Sequence, residues 1–227
     1  MAAVLFVKNC LKTVTCGLQQ RSIQVPRTKT LYTSCPNLAP TGLWMRLLSV
    51  INQVYPHRIE EVGPDRACAE WLVKNGGAVR WVGNPHQTET DYNLLPQNVT
   101  LKIEEIICDE AVVLSNGFGY LGGLKHVKRF TLHNCKFASD RMVSSLFYLR
   151  DSLEHLQISS CRHVTQDGLN SLEDLRKLQY LLLFDLESIR DKAKCIEQLK
   201  ERLPPDCLIE FPDTPVPGTN RKLKSGS

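Results

Sequence analysis

Acidic residues are missing from the first quarter of this 227-residue chain. The first carboxylate side chain is that of Glu60. Five basic residues lie before Ser34, at positions 8, 12, 21, 27 and 29, and hydroxyl and apolar residues fill the intervals. A basic start without acids is typical of a mitochondrial transit peptide, which we expect, with a linker, over residues 1–40. A disordered basic tail is the alternative. A secretory signal is disfavoured because Lys8 and Lys12 interrupt its apolar core.

Long apolar runs are also lacking. No stretch approaches the ~20 residues that a membrane-spanning helix needs, so the sequence predicts none. The chain has 28 basic and 24 acidic residues. Without the five basic residues before Ser34, the remaining 23 basic residues nearly balance the 24 acidic ones. This balance argues against a nucleic-acid-binding protein, because such proteins carry a marked basic excess.

Recognisable catalytic and metal-binding motifs are absent. The nine cysteines include no C-x-x-C pair and no spacing typical of zinc ligands, and their odd number suits reduced thiols. The chain has no phosphate-binding glycine loop, no G-x-S-x-G and no H-E-x-x-H. We therefore predict a protein that is not an enzyme and has no small-molecule substrate.

Repetition is what the sequence does contain. Residues 127–135 (VKRFTLHNC) align with residues 153–161 (LEHLQISSC) at an offset of 26, and their apolar positions coincide. A third copy begins at Leu178, and a weaker first copy covers IEEIIC, residues 103–108. The pattern L-x-x-L-x-L-x-x-C, followed by V-T-x-x-G-L-x-x-L, is that of the cysteine-containing leucine-rich repeat.

The repeats predict the fold class. Each unit of strand, loop and helix buries its apolar side only by stacking on its neighbours. We therefore predict an α/β protein, a short leucine-rich-repeat solenoid of about four repeats over residues 101–211. Cys135 and Cys161 are interpreted as small buried residues of the scaffold rather than reactive thiols.

Charged residues occupy the outward positions of the predicted strands. Glu105 and Arg129 are expected to pair between neighbouring strands, as are Lys128 with Glu104 and with Glu154. Alternatively, this polar surface contacts a partner. We assign that contact to Lys128, Arg129, His155 and Tyr180.

The last predicted strand differs from the others. Tyr180, Leu182 and Phe184 would expose an apolar stripe unless another segment covers it. Residues 207–211 (CLIEF) are expected to add a closing strand beside it.

The segments on either side of the repeats have other compositions. Residues 41–100 are predicted to form a helical cap, in which Pro64 begins a helix and Gly76 and Gly77 end it. Residues 212–227 contain three prolines, two glycines and three basic residues, and we expect a disordered tail.

Three segments carry a family resemblance: residues 58–81 (RIEEVGPDRACAEWLVKNGGAVRW), residues 91–96 (DYNLLP) and the repeats ending in LQISSCRHVTQDGLNSL and LQYLLLFDL. Together they resemble the mitochondrial ATP synthase subunit s family, also called coupling factor B. Distal membrane arm assembly components of respiratory complex I form a sister group. The resemblance covers about residues 43–211, and G-P-D-R-A-x-x-E-W-L and D-Y-N-x-L-P are its specific parts.

The resemblance implies a function. It implies a non-catalytic protein, peripheral on the matrix side of the mitochondrial inner membrane, that supports proton conduction through the membrane sector of ATP synthase and coupled ATP synthesis. It also implies Mg²⁺ in the cap, with Glu61 and Gln97 at the ligand positions. The sequence departs from the family at Gln97, where threonine is expected, and in a longer loop at residues 82–90.

Two alternative functions remain open from the sequence. The first is assembly of the membrane arm of complex I, because the sister group shares the scaffold. The second belongs to another class: cysteine-type repeats also serve as substrate receptors of ubiquitin ligases. That function calls for an F-box ahead of the repeats, and none is recognisable in residues 41–100.

Overall fold

The computed structural model describes residues 42–84, 86–96 and 100–213. The chain divides into two compact units, residues 1–48 and 49–227. The predicted transit peptide and residues 214–227 of the predicted tail lie outside the described residues. Among the described helices, none is both long and apolar enough to cross a membrane.

The described helices are short. They are α1 (Gly42–Ile51), α2 (Pro56–Val62), α3 (Pro64–Lys74), α4 (Asp140–Ser144), α5 (Gln166–Asn170) and α6 (Lys192–Arg202). Four 3-10 helices lie at Tyr92–Leu94, Ser115–Leu121, Ser145–Leu149 and Ser171–Asp174. Helix α3 begins at Pro64, as predicted, because proline fits the first helical turn, where its missing N–H has no partner to lose.

Six strands form one sheet whose spatial order follows the chain. They are β1 (Ala78–Trp81), β2 (Ile103–Asp109), β3 (Arg129–His133), β4 (His155–Ser159), β5 (Tyr180–Phe184) and β6 (Leu208–Glu210). Strand β1 runs antiparallel to β2, and all the other neighbours are parallel. Phe130 pairs with Leu156, which confirms the predicted 26-residue offset. The pairing of β6 with β5 confirms the closing strand.

Alternation along the strands separates a core face from an open face. Phe130 and Leu132 of β3 are buried, and the same core includes Met142 of α4 and Leu146 of the 3-10 helix that follows. The helical segments that connect parallel strands therefore cover one face of the sheet. Each fully buried side chain of this kind contributes roughly 1.5–3 kcal/mol relative to exposure.

The repeat cysteines lie inside this core, as predicted. The Cys135 thiol donates to the carbonyl oxygen of Cys108 at 3.3 Å, and the Cys161 thiol donates to that of Leu132 at 3.9 Å. Burial raises the pKa of Cys161 to about 11 and raises that of Cys135 well above its ordinary value. These neutral thiols link neighbouring strands rather than serving as nucleophiles.

A residue with left-handed backbone conformation directly follows each of the strands β2, β3, β4 and β5. Glu110, Asn134, Ser160 and Asp185 have φ angles of 52°, 49°, 51° and 50°. The Asn134 amide donates to Glu110 Oε1 at 3.4 Å, and the Ser160 hydroxyl donates to Asp185 Oδ2 at 2.8 Å. Polar residues tolerate this conformation better than bulky ones, and here their side chains also join adjacent turns.

Polar contacts attach helix α3 to the sheet. Asp65 is 3% exposed, and its carboxylate accepts from Lys102 Nζ at 3.0 Å and from the Ile103 backbone N–H at 2.9 Å. Asp65 therefore connects the first turn of α3 to the first residue of β2.

A buried carboxylate joins α2 to α3. Glu70 accepts from Arg58 Nε at 3.0 Å and Nη2 at 2.7 Å, and from Arg66 Nε at 2.9 Å. Burial alone would raise the pKa of Glu70, but the hydrogen bonds from Arg58 and Arg66 outweigh it, and the pKa is lowered.

A buried amide side chain links helix α3 to the segment that follows β2. Asn52 is fully buried, and its Oδ1 accepts from the Trp71 indole N–H at 3.2 Å and the Leu114 N–H at 3.0 Å. Its Nδ2 donates to Asn75 Oδ1 and to the Val112 carbonyl, both at 3.2 Å. Both polar ends of this side chain are thus satisfied.

The fold is mixed α/β, with a six-stranded sheet and helices, as the class prediction required. The prediction of a helical cap did not include β1, which lies within residues 41–100. Ala78, Val79 and Trp81 are buried and Arg80 is half-buried, so no strict apolar–polar alternation marks this strand in the sequence. Strand β1 is completed by its antiparallel pairing with β2, a contact distant in the chain.

Candidate interaction surface

The open face is formed by strand side chains on the side opposite the helices. Strand pairing arranges them in three rows: Arg80, Glu105, Arg129, His155, Tyr180 and Leu208; Ala78, Ile107, Thr131, Gln157, Leu182 and Glu210; and Asp109, His133, Ser159 and Phe184. Most of these side chains are half-buried, and many are polar or charged. The open face therefore presents polar groups on a rigid support.

Two arginines share one carboxylate at the β1 end of this face. Arg80 Nη1 donates to Glu105 Oε2, and Arg129 Nε lies 3.3 Å from the same oxygen. The Glu105 side chain is 12% exposed, whereas that of Arg129 is 38% exposed. A carboxylate this buried needs compensating cations. Arg80 and Arg129 supply them, and Arg129 still presents part of its guanidinium to solvent.

Aromatic rings occupy the other end of the first row. The rings of His155 and Tyr180 lie 6.0 Å apart, inclined at 52°. The Tyr180 hydroxyl donates to Glu210 Oε2 at 2.8 Å. Burial, followed by this hydrogen bond, raises the pKa of Tyr180 to about 12. The phenol is therefore protonated at neutral pH and links β5 to β6.

A serine and a histidine meet in the third row. His133 Nδ1 lies 2.8 Å from Ser159 Oγ, which also accepts from Gln157 Nε2 at 3.0 Å, and Asp109 pairs with His133 on the neighbouring strand. Ser159 is only 1% exposed. A nucleophile must reach its substrate, so this arrangement serves as a hydrogen-bond connection between strands and does not support acyl transfer.

The structure brings together three of the four residues predicted to contact a partner. Arg129 pairs with His155, and His155 pairs with Tyr180, so the three lie consecutively in the first row. Lys128 precedes β3 at the edge of the sheet, and its Nζ lies 3.9 Å from Glu154. Contact with a partner stays a prediction for all four.

The predicted pairing of charges is confirmed in part. Glu105 with Arg129 and Lys128 with Glu154 are ion pairs. Within the described residues, however, Glu104 pairs with Arg129 at 3.9 Å rather than with Lys128. The reason is that the long arginine side chain reaches both carboxylates on β2.

Of the two predicted magnesium ligands, Glu61 lies within the described residues. The Glu61 side chain is 56% exposed, and its Oε2 accepts from Arg58 Nη1 at 2.8 Å. Gln97 lies outside the described residues. Within the part of the chain that the structure describes, no group of three or more His, Cys, Asp or Glu side chains is placed to hold a metal ion. A hard cation at this oxygen would have to displace the Arg58 guanidinium.

Sequence reasoning missed the two charged residues that the outer strands β1 and β6 add to the open face. Arg80 was missed because β1 was not predicted. Glu210 was missed as the partner of Tyr180, although the closing strand placed it nearby. Alternation within CLIEF separates Glu210 from its apolar neighbours, and this was the available signal.

The fold and the open face define a mixed α/β protein with a sequentially ordered sheet and a polar, internally paired strand surface. No family model matches the chain. The chain is 39% identical over 166 residues to ATP synthase subunit s, mitochondrial, of Rattus norvegicus, covering 71% of this chain and 82% of that protein. The Homo sapiens protein of the same name is 37% identical over the same shares.

A more distant relative is distal membrane arm assembly component 2 of Drosophila melanogaster. It is 27% identical over 163 residues, which cover 68% of this chain and 56% of that protein. The identity and coverage of the rat and human relatives decide the assignment. The chain belongs to the ATP synthase subunit s family.

Proposed function

We propose that this protein is a non-catalytic accessory factor of mitochondrial ATP synthase. The observation that carries the proposal is its 36–39% identity, over 71% of the chain, to proteins named as mitochondrial subunits of that complex. We further propose a peripheral position on the matrix side of the inner membrane, and a role in proton conduction through the membrane sector. The acid-free, basic first 40 residues favour import into mitochondria.

The open face is the proposed docking surface, with Arg129, His155 and Tyr180 as its contact residues. Lys128, which precedes β3, is proposed as a fourth contact beside it. Its support is physical: arginine and tyrosine are enriched among residues that dominate binding energy at protein interfaces. Arg129 and His155 are held on neighbouring strands, so little conformational entropy would be lost when a partner binds them.

We also propose that residues 101–211 are a leucine-rich-repeat solenoid of the cysteine-containing type. The 26-residue register between β3 and β4 supports this interpretation, as do the buried cysteines at equivalent positions. In such arrays each repeat contacts only its neighbours, and the strand face offers an extended binding surface.

A native gel of solubilised mitochondria carrying a C-terminally tagged copy tests the proposed function. We expect the tagged protein to migrate with ATP synthase. Arg129→Ala should weaken this association, whereas Arg162→Ala should not, because Arg162 forms an exposed ion pair with Glu187 outside the strand faces. Migration with partly assembled complex I would instead support the alternative function, assembly of the membrane arm of that complex.

Binding of magnesium stays a separate proposal with Glu61 and Gln97 as ligands. It requires Arg58 to release the Glu61 carboxylate. Calorimetric titration of Mg²⁺ into the full chain tests it. Binding that disappears in Glu61→Gln and in Gln97→Ala would support the site, and identical titrations of wild type and variants would refute it.

A further inference from the structure

Ion pairs at the β1 end of the open face share one orientation. The side chain of Glu105 is 12% exposed, whereas those of its partners Arg80 and Arg129 are 24% and 38% exposed. The pair beside the open face follows the same order, since Lys128 is 49% exposed and Glu154 is 28% exposed. In each of these pairs the carboxylate is more deeply buried than its cation. The cations are therefore the outer members of the pairs.

Both arginines retain N–H donors for a further acceptor. Arg80 donates from Nε to the Thr88 hydroxyl at 3.0 Å and from Nη1 to Glu105, and its Nη2 has no hydrogen-bond partner among the described residues. Arg129 donates from Nε to Glu105 at 3.3 Å, and its Nη2 lies 3.9 Å from Glu104, too far for a hydrogen bond. Arginine has five N–H donors, and pairs of them match the two oxygens of a carboxylate.

The two guanidinium groups converge on one atom. Both contact Glu105 Oε2, although β1 and β3 lie on opposite sides of β2. Arg80, Arg129 and Glu105 together carry one positive charge. Glu104 and the pair of Lys128 with Glu154 bring the sum to zero. Paired charges attract only at short range, so we expect recognition by direct contact rather than by a long-range field.

Other acidic groups of the open face are distant from the arginines. The second row is uncharged from β1 to β5. Asp109, in the third row, lies four residues beyond Glu105 along β2, or about 13 Å away. Glu210 is three strands from Arg129, about 14 Å, and already accepts from the Tyr180 hydroxyl. An acceptor that approaches the arginines therefore meets few opposing carboxylates.

We propose that the arginine pair, Arg80 and Arg129, binds a carboxylate in an acidic segment of the docking partner. The two guanidinium groups donate to its oxygens, and Thr88 is a positioning residue that holds Arg80 beside Arg129. The inference rests on the proposed docking function of the open face. It deepens that function by naming the chemistry of the partner and by adding a contact residue on β1.

The surroundings of the arginine pair favour a protein segment over a phospholipid surface. Attachment to a bilayer combines exposed cations with apolar side chains that insert between lipids. Arg80 and Arg129 are partly covered, and among the described residues the open face has no exposed large apolar side chain from β1 to β5. A single carboxylate side chain can reach a partly covered guanidinium, and His155, next in the row, extends the contact.

Binding of a labelled acidic peptide tests the proposal. The probe has about ten residues of alternating glutamate and serine, so its carboxylates lie on one side when it is extended. Fluorescence anisotropy measures its dissociation constant with the full chain. We expect Arg80→Ala and Arg129→Ala each to weaken binding about fivefold, and a glutamine–serine peptide to bind at least about tenfold more weakly. No binding of the acidic peptide, or equal binding of both peptides, would overturn the proposal.

Arg162→Ala is the matched control for the loss of charge. Arg162 forms an exposed ion pair with Glu187 outside the strand faces, so its removal should leave peptide binding unchanged. A loss equal to that in Arg80→Ala would show that the peptide responds to total charge, which would overturn the proposed site.

Two conservative variants separate geometry from charge and from stability. Arg129→Lys keeps a cation beside Glu105 but loses the paired donors, so the protein should unfold at the wild-type temperature and bind the peptide about threefold more weakly. Full-strength binding would refute the arginine contact. Thr88→Val should weaken binding about twofold, whereas Thr88→Ser, which keeps the hydroxyl, should bind like wild type. Equal binding by these two variants would refute the positioning role.

This proposal and the docking function fail separately. The peptide assay contains no ATP synthase, so peptide binding persists even if the protein docks elsewhere. If Arg129→Ala loses ATP synthase association but wild type ignores the peptide, docking stands and its acidic partner chemistry is overturned. Vesicles with about 30% phosphatidylglycerol distinguish the other anionic source. Co-sedimentation that requires Arg80, without peptide binding, would assign the arginine pair to phospholipid headgroups and overturn the proposal.

Discussion

The N-terminal region (residues 52–102) and the periodic region (residues 103–211) are stabilised in different ways. Among the described residues, seven polar or charged side chains are buried, and five of them, Asn52, Asp65, Glu70, Asn75 and Glu89, lie in the N-terminal region. The periodic region buries mainly leucine, isoleucine and cysteine. The strands and helices of the periodic region are held together mainly by buried apolar side chains. The helices ahead of this region are also joined by specific hydrogen bonds and ion pairs.

The two kinds of stabilisation differ in how strictly they fix the positions of the side chains. Apolar packing is roughly proportional to buried area and has no preferred direction. A buried polar group, in contrast, costs free energy in any arrangement that leaves it unpaired. The stability of the N-terminal region therefore depends on the exact placement of a few hydrogen-bonding atoms. The stability of the periodic region depends on how much apolar surface it buries. We expect the two regions to respond differently to substitution.

The largest effect is expected from truncation in the periodic core. Phe130→Ala removes a ring that is 2% exposed and should lower the free energy of unfolding by about 4 kcal/mol. Urea denaturation measures it. Thr131→Ala is the control, because Thr131 is half-buried on the open face and should change stability by less than about 0.5 kcal/mol. Equal effects would show that the core is not where stability resides.

A smaller but still large effect is expected at the buried amide. Asn52→Ala removes four hydrogen bonds, including those with Trp71 and Val112, and should cost about 3 kcal/mol. The same denaturation experiment on Asn93→Ala, an exposed residue, serves as the control. A cost below about 1 kcal/mol would mean that the N-terminal region does not depend on this hydrogen-bonded network.

A pH-dependent effect is expected at Glu70. Its pKa is lower in the folded protein than in the unfolded chain, where it is about 4.3. Its stabilisation is therefore fully present above that value and is lost as the pH falls through the folded pKa. Glu70→Gln should cost about 2 kcal/mol at pH 7, and the deficit should shrink towards pH 3.

Glu61→Gln is the matched control for this pH dependence. Glu61 binds the same Arg58 but is exposed, so its loss should cost less than about 0.5 kcal/mol at either pH. A deficit of Glu70→Gln that did not vary with pH would contradict the assigned role of the charge.

The smallest effect is expected in the rates at which two buried cysteines are alkylated. Cys68 and Cys161 are both fully buried, and burial raises the pKa of each thiol, so alkylation at pH 8 requires opening of the structure. In Asn52→Ala, peptide mapping should find Cys68 alkylated several-fold faster while Cys161 is unchanged. Equal acceleration at both sites would show that the regions open as one unit.

The periodic region was largely predictable because its signal is local and repeated. The spacing of Leu153, Leu156 and Ile158 indicated β4 and its register with β3 without reference to distant residues. The left-handed turns were not predicted, because Glu110 and Asp185 are not glycine and their conformation depends on the stacked neighbouring turn.

The N-terminal region was harder to predict because its contacts are distant in the chain. Strand β1 exists through pairing with β2, and Asp65 is fixed by Lys102 and Ile103. No spacing rule links such positions. The open face lies between these cases: Arg129, His155 and Tyr180 were predicted from alternation, whereas Arg80 depends on β1.

Site-specific photo-crosslinking from the open face tests the central claim most directly. A photoreactive residue replaces His155, in the middle of the first row, and in a second protein replaces Arg162, which is exposed beyond the strand faces. In mitochondria we predict adducts between position 155 and subunits of ATP synthase, and none from position 162. Adducts from position 162 alone, or from position 155 to complex I proteins alone, would contradict the proposed docking of the open face on ATP synthase.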